Sequence, residues 1–333
     1  MRFEHIQQYL SQCGAKNLHQ QRILRAWLHG LSLDAGPRHQ PAEHFLPLSV
    51  RHALPELQQC LEQIVQLETQ HPDAVGSVRL LLKLQDQQKI ESVLLPRDGI
   101  CVSTQVGCAV GCLFCMTGRG GLIRQLDTSE ILAQIVLGRR LRPVRRVVFM
   151  GMGEPAHNLE RVATAIEWLG TEGGFAHKNL VFSSVGDRRI FERLTQGSVK
   201  PALALSLHTT KPELRQQLLP KAQLIDPAEL MALGEDYAQK TGHPIQYQWT
   251  LLSGINDTQD EMDSLLKLFK GKYAILNLIP YNPMPEDQYQ RPSLEHIRHM
   301  VHYLHSRGVL TKVRHSAGQE VEGGCGQLRA RAS

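Results

Sequence analysis

From Cys101 onward, short apolar runs alternate with amphipathic stretches, and this alternation restricts the fold more than any other feature of the chain. Extended-looking runs occupy 100–106, 146–150, 180–184, 201–207, 245–252, 274–279 and 310–314. Between them, apolar residues recur at three- and four-residue steps over 128–137, 159–169, 227–237, 258–269 and 293–305, the spacing of one helix face. Strands separated by helices pair in parallel through right-handed crossovers, so repeated units of this kind form a partial or complete (β/α) barrel. In such barrels reactive groups gather at the carboxyl ends of the strands.

Two regions precede the barrel. Helical periodicity runs from Arg2 to about Leu67, through Ile6, Tyr9 and Leu10 and again through Ile23, Leu24, Trp27 and Leu28, with the turn formers of 34–41 between its parts. Next come 77–84 and 89–95, two apolar runs joined by Gln85-Asp86-Gln87-Gln88, which predict a β-hairpin. The expected organisation is α/β: a helical domain over 1–70, a β-hairpin extension over 71–98 and a partial (β/α) barrel over 99–333. A chain of 333 residues, 42% hydrophobic, can bury a core of that size. Polar residues follow Met1 and no apolar run approaches membrane-spanning length, so a soluble cytoplasmic protein without a membrane partner is expected.

The chain has seven cysteines, and Cys108, Cys112 and Cys115 lie close together directly after the first barrel strand. That grouping suits a metal site in a reducing compartment better than a disulfide framework. Cys13 and Cys60 stand apart and read as small hydrophobes. A C-x3-C-x2-C loop offers three thiolates to a four-iron cubane and leaves one iron without a protein ligand. Thiolates also suit zinc, but a closed zinc site wants a fourth Cys or His, and the next histidine downstream is His157.

With Phe114 directly before the third cysteine, the run resembles the signature of the radical S-adenosylmethionine superfamily. The resemblance implies a [4Fe-4S] cluster, one per chain, on Cys108, Cys112 and Cys115. It also implies S-adenosylmethionine bound at the open iron and cleaved to a 5′-deoxyadenosyl radical. Gly153 and Glu154, in the turn Gly151-Met-Gly-Glu-Pro155, match the turn that meets the amino group of S-adenosylmethionine. Ser183, Ser206, Leu207, His208 and Asn282 lie near strand ends and are assigned to the ribose and adenine. Taken singly, each is an ordinary cap or surface residue.

Five ordered blocks narrow the match: Cys101-Val-Ser-Thr-Gln-Val-Gly-Cys108, Gly151-Met-Gly-Glu-Pro155, Ala204-Leu-Ser-Leu-His208, Asn277-Leu-Ile-Pro-Tyr-Asn-Pro283 and Cys325-Gly-Gln-Leu328. Together they resemble the RlmN/Cfr family of radical-SAM RNA methyltransferases, from the amino-terminal domain to the last ten residues. That likeness implies methylation of a ring carbon of adenine, C2 foremost, in ribosomal RNA and also transfer RNA. Cys325 would carry the methyl group as S-methylcysteine. Cys101 would free the product through a transient disulfide, and Glu91 would accept the ring proton. An electron donor such as flavodoxin and a monomeric enzyme are expected with it.

The chain departs from the commonest housekeeping pattern at 116–124, at Lys221 and Ala222, at Gln248 and over 285–291. These departures bear on the substrate and on C2 against C8 more than on the reaction type. A formal net charge of +5 permits a polyanionic partner. Arg139, Arg140, Arg142, Arg145 and Arg146, with Arg119 and Arg124 upstream, read either as a solvated helix end or as a grip on RNA phosphates. Two other readings remain. A radical enzyme with a non-RNA substrate leaves Cys101 and Cys325 unexplained; an RNA-binding module without catalysis keeps the cysteines for zinc or a structural cluster.

Overall fold

The structure, a computed structural model, describes residues 2–36, 40–222, 225–284 and 288–330. Parts of the expected loop 34–41 and of the divergent stretch 285–291, namely 37–39 and 285–287, therefore lie outside the described residues.

Three amphipathic helices open the chain: α1 (Phe3–Gln12), α2 (Asn17–Leu28) and α3 (Leu48–Glu62). They bury Phe3, Ile6 and Leu10, then Ile23, Leu24 and Trp27, then Val50, Leu54, Leu57 and Leu61 in one shared core. The helical reading to Leu67 is corrected here, because the chain turns after α3 into strand β1 (Val65–Pro72). β1 pairs antiparallel with β2 (Val78–Leu84), and β2 with β3 (Lys89–Leu95), so the extension is a three-stranded meander and not a hairpin alone. Along β1 burial alternates, but only Val65 is fully buried and its other inward residues are mostly polar. The period of two was therefore hidden from a hydrophobic pattern.

β3 pairs antiparallel with β4 (Gly99–Cys101), and there the parallel barrel begins. The expected strand 100–106 is split: β4 stops at Cys101, and β5 (Gln105–Gly107) leaves the main sheet to pair with β6 (Leu122–Gln125). β4 is followed in space by β7 (Arg146–Phe149), β8 (Leu180–Ser184), β9 (Ala202–Ser206), β10 (Ile245–Leu251), β11 (Ala274–Pro280) and β12 (Thr311–Val313), each parallel to the next. The sheet runs β1-β2-β3-β4-β7-β8-β9-β10-β11-β12, with β1 and β12 at its edges, so the barrel is open. Crossovers are made by α4 (Thr128–Leu141), α5 (Leu159–Thr171), α6 (Arg188–Gln196), α7 (Pro212–Leu218), α8 (Pro227–Thr241), α9 (Gln259–Phe269) and α10 (Leu294–His305). Among the described residues no helix is long and apolar enough to cross a membrane.

α4 joins these parts. Asp127 caps it by accepting the Ser129 amide at 3.0 Å, and Glu130 returns the bond by accepting the Asp127 amide at 2.7 Å. Asp127 also accepts the Phe3 amide at 2.9 Å, tying the first helix to the barrel. Buried Gln134 accepts from the Ser103 amide at 2.8 Å and the Ser92 hydroxyl at 2.7 Å, and donates to the Ser103 carbonyl at 3.0 Å. These bonds fix the backbone just beyond Cys101.

Within the arginine run, Arg139 and Arg142 bond to main chain of the molecule itself, whereas Arg140 and Arg145 lie exposed at its surface. Arg139 donates to the carbonyls of Leu28 (2.6 Å) and Gly173 (2.7 Å) and lies 4.2 Å from the centre of the Phe175 ring. Arg142 donates to the carbonyls of Gly76 and Leu95. Arg140 and Arg145 sit beside Glu62 (3.6 Å) and Asp98 (3.5 Å). Arg139→Ala is expected to lower the unfolding free energy by about 2 kcal/mol, through stranded carbonyls and a lost cation–π contact. Arg145, whose side chain is 82% exposed, should tolerate alanine within about 0.5 kcal/mol. Denaturant unfolding of the two variants checks the contrast.

Candidate active site

The site is built at the carboxyl ends of the parallel strands, as the alternation predicts. After β7 the turn 151–154 folds back onto the segment that follows β4. The Gly151 amide donates to the Val102 carbonyl at 3.0 Å, and the Met152 amide to the Ser103 hydroxyl at 2.8 Å. A Cβ on Gly151 would lie 2.7 Å from the Val102 backbone. Gly153 has φ +105°, and a Cβ there would lie 2.6 Å from Cβ of Gln105. Only glycine allows both the approach and the conformation.

Glu154 is thereby set in the interior. Its amide donates to Gln105 Oε1 at 2.7 Å, and its carboxylate accepts the amides of Ala156 and Val185, both at 3.0 Å. Burial pushes its carboxyl up to about 7, and the two amides oppose that rise. An uncompensated acid at this depth favours a cationic neighbour.

Glu154 lines a chamber with Cys108, Cys112 and Cys115, and Gly153, Ser183, Ser206, His208, Asn282 and Cys325 share its wall. Burial pushes the Cys108 thiol up to about 12 and raises Cys112 and Cys115 as well, each further raised by its thiol neighbours. Among the described residues no three His, Cys, Asp or Glu side chains gather around a single metal ion. The three thiols share a larger chamber instead, and soft, dry sulfur donors of this kind suit an iron–sulfur cluster. Tyr281, also in the wall, has a buried hydroxyl without a partner among the described residues, a hydrogen bond left for an occupant.

His208 sits at φ +62°, and its Nδ1 accepts the Thr250 amide at 3.0 Å. Burial, and then the charge of Arg215, push its pKa down to about 3. The ring is therefore neutral with its proton on Nε2, and the Phe114 ring meets it edge-on at 4.8 Å. Leu207 does not line the chamber: its side chain is in the core, and its amide donates to the Gln248 carbonyl at 3.0 Å. Its amide thereby ties the end of β9 to β10. Gln248, one of the divergent positions, is in the chamber wall, and Arg314 approaches its Oε1 at 3.4 Å.

Sequence reasoning missed the groups that hold this rim. Arg215 is fully buried and donates to the carbonyls of Ser206 (2.8 Å), Leu207 (3.1 Å), Ile225 (3.0 Å) and Val185. Asn256 donates to the carbonyls of His208 (2.7 Å) and Thr250 (2.8 Å) and accepts the Leu252 amide at 2.8 Å. Both lie outside any strand end, and their only signal was a polar residue beside apolar neighbours.

A second cavity adjoins the first, and Cys101, Cys115, Arg314 and Cys325 line it. Cys325 and Cys101 are free thiols, one exposed and one buried. Burial, and then the nearby Cys325, push Cys101 up to about 12, while Arg314 pulls the other way. The Cys325 segment is laid down by its backbone: Asn282 Nδ2 donates to the Cys325 carbonyl (2.9 Å), the Met116 amide to that of Gly326 (2.7 Å) and the Thr117 hydroxyl to that of Leu328 (2.7 Å). Asn282 thus serves the terminal segment as well as the chamber. Glu91, the expected proton acceptor, is not in the wall of either cavity. Its carboxylate is buried against Arg79 and the amides of Arg329 and Ala330.

Residues 102–268 match the model of the radical SAM superfamily. A probable RNA methyltransferase of Ectopseudomonas mendocina is 65% identical over 332 residues, spanning 100% of this chain and 96% of its own length. One of Pseudomonas aeruginosa is 63% identical over 333 residues, spanning 100% and 96%. Among solved structures, a radical SAM methyltransferase from Sphaerobacter thermophilus superposes with a TM-score of 0.85 at 31% identity, over 99% of this chain and 98% of that one.

The turn geometry sets a test. Gly153→Ala combines backbone strain with a clash and should cost more than about 3 kcal/mol. Gly242→Ala, at φ +72° with open space around it, should cost only about 1 kcal/mol. Thermal or denaturant unfolding of the pair measures the difference.

Proposed function

We propose that this chain, which belongs to the radical SAM superfamily, is an RNA methyltransferase that places a methyl group on C2 of an adenine, with Cys325 as the carrier of the methyl-derived carbon. The observation that carries this reading is the position of Cys325. It lies in the wall of the chamber that holds the three clustered thiols and also in the wall of the cavity that holds Cys101. The names of full-length relatives and the ordered blocks shared with the RlmN/Cfr family support RNA as the substrate.

Cys108, Cys112 and Cys115 would hold a [4Fe-4S] cluster, with Glu154 facing the amino group of S-adenosylmethionine. When bound, these groups supply a methyl electrophile, single electrons and a hydrogen-abstracting carbon radical. The chain's own residues do the rest. The Cys325 thiolate takes a methyl group from the sulfonium, forming its S–CH3 bond as the sulfonium–methyl bond breaks. Removal of one hydrogen atom from that methyl leaves a carbon radical on Cys325, which adds to the electron-poor ring carbon. The adduct then gives one electron back to the cluster that would be held on Cys108, Cys112 and Cys115 and its ring proton to a general base, which restores the aromatic ring. The Cys101 thiolate then attacks the Cys325 sulfur. The S–CH2 bond breaks, the carbon takes up a proton to leave as methyl, and the Cys101–Cys325 disulfide is returned to two thiols by exchange with a dithiol reductant, while a donor such as flavodoxin would reduce the cluster. Neutral His208, offering an Nε2 proton, and the serines at the ends of β8 and β9 are suited to adenosine heteroatoms. An unstacked adenine, in ribosomal or transfer RNA, is the form of substrate that such a recess admits.

Cys325→Ala is expected to abolish methyl loading of the protein, and Cys101→Ala to permit loading and accumulate a covalent RNA adduct. Mass spectrometry of protein and nucleosides reads both and separates 2-methyladenosine from 8-methyladenosine. RNA methylation by Cys325→Ala at the wild-type rate would sink the reading.

Release of the adduct has its own signature. Because the Cys101 thiol is pushed up to about 12, its thiolate fraction rises about tenfold per pH unit between pH 7 and 9. Release should accelerate accordingly, and Arg314→Gln, which removes the opposing charge, should slow it. Rapid-quench measurement of adduct decay follows both.

A further inference from the structure

Arg79 and Glu91 lie on neighbouring strands of the meander. In the β2–β3 register Arg79 faces Val93, which places Glu91 diagonally across from it on the same face. Their side chains meet at 2.5 Å, Arg79 Nη1 to Glu91 Oε1, and both are almost wholly buried. Arg79 Nε and Glu91 Oε2 turn to the terminal segment. Arg79 Nε donates to the Val321 carbonyl at 2.6 Å, and Glu91 Oε2 accepts the amides of Arg329 and Ala330 at 2.8 and 3.0 Å. These anchors stand on either side of Cys325 in the chain. Burial pushes the Glu91 carboxyl up, and the Ala330 amide and Arg79 oppose that rise.

We propose that the Arg79–Glu91 ion pair is a clamp that grips both flanks of the terminal loop and holds the Cys325 sulfur at the wall between the two cavities. A buried ion pair is costly unless its remaining hydrogen-bonding capacity is used, and here that capacity is used on main chain before and after the cysteine. Between the anchors the loop is also tied by bonds to Asn282, Met116, Thr117 and Pro283 and by the buried Leu328 side chain. Both residues are thus positioning residues, acting through the placement of Cys325. The consequence for the chemistry rests on the reading of Cys325 as methyl carrier; the clamp itself does not.

The test uses cluster-loaded holoenzyme carrying Arg79→Met, Arg79→Lys or Glu91→Gln. Hydrogen exchange read by mass spectrometry should show amides of 318–330 exchanging at least about tenfold faster in Arg79→Met, with the barrel strands unchanged. Single-turnover methyl loading of Cys325 should slow by about tenfold or more, while S-adenosylmethionine affinity stays within about twofold. Arg79→Lys, which keeps a cation for Glu91, should restore protection at 329–330 and part of the loading rate. Glu91→Gln should behave as a weaker Arg79→Met. Should Arg79→Met not fold, Glu91→Gln against wild type carries the same comparison.

Wild-type exchange of 318–330 in both Arg79→Met and Glu91→Gln overturns the clamp whatever the chemistry. Normal loading by Glu91→Gln with build-up of an RNA adduct also overturns it, because that is the behaviour of a lost proton acceptor. Methylation that survives Cys325→Ala defeats the methyl-carrier reading instead, and the exchange data still decide the clamp.

Discussion

Parallel strands that stop at a buried chamber leave carbonyls pointing where water is scarce, and the site depends on how those carbonyls are satisfied. Arg215 answers four of them across the ends of β8 and β9 and the segment before α8. Asn256 does the same for the ends of β9 and β10. A guanidinium is suited to this because its donors diverge in a plane and its charge is never lost. Burial lowers its pKa only to about 10, so it stays cationic while it holds the rim rigid. His208, in its left-handed conformation, is fixed from both sides by this scaffold.

The electrostatics of the chamber follow from burial. Glu154 and the three clustered thiols are all raised by desolvation, so in the absence of positive charge the chamber favours their neutral forms. Iron and a cationic amino group both reverse that preference, and binding couples to proton release. Arg314, beyond the end of β12, stands at the junction of the two cavities and brings a cation beside Cys101. Cys325 differs from Cys101 and from the three clustered thiols in being exposed.

The meander before the barrel gains a role from this arrangement. It carries the sheet outward by three antiparallel strands, and its inner face receives the terminal segment through Arg79 and Glu91. Arg79 and Glu91 thus bond to main chain on either side of Cys325, across separations of 242 and 238 residues. Arg139 and Arg142 likewise act as internal fasteners, joining the first helices and the meander to the barrel.

The strand–helix alternation, the C-x3-C-x2-C loop and the Gly-Met-Gly-Glu turn were legible from the chain because each is local: periodicity, spacing and glycine are properties of neighbouring residues. They determined a partial parallel barrel, a trio of neighbouring thiols and a carboxylate at the barrel rim. β1 was hidden because its inward residues are mostly polar, and β5 and β6 because a strand can leave one sheet for another without a change of pattern. What Glu91, Leu207, Arg139 and Arg142 bond to could not be read locally, since those partners are distant in the chain. Only the tertiary structure decided that Glu91 spends both oxygens on Arg79 and the terminal backbone, and that Cys325 lies between two cavities. The physical reason is that a buried charge takes its role from whichever donors the fold brings to it, and a pattern of neighbours along the chain does not contain them.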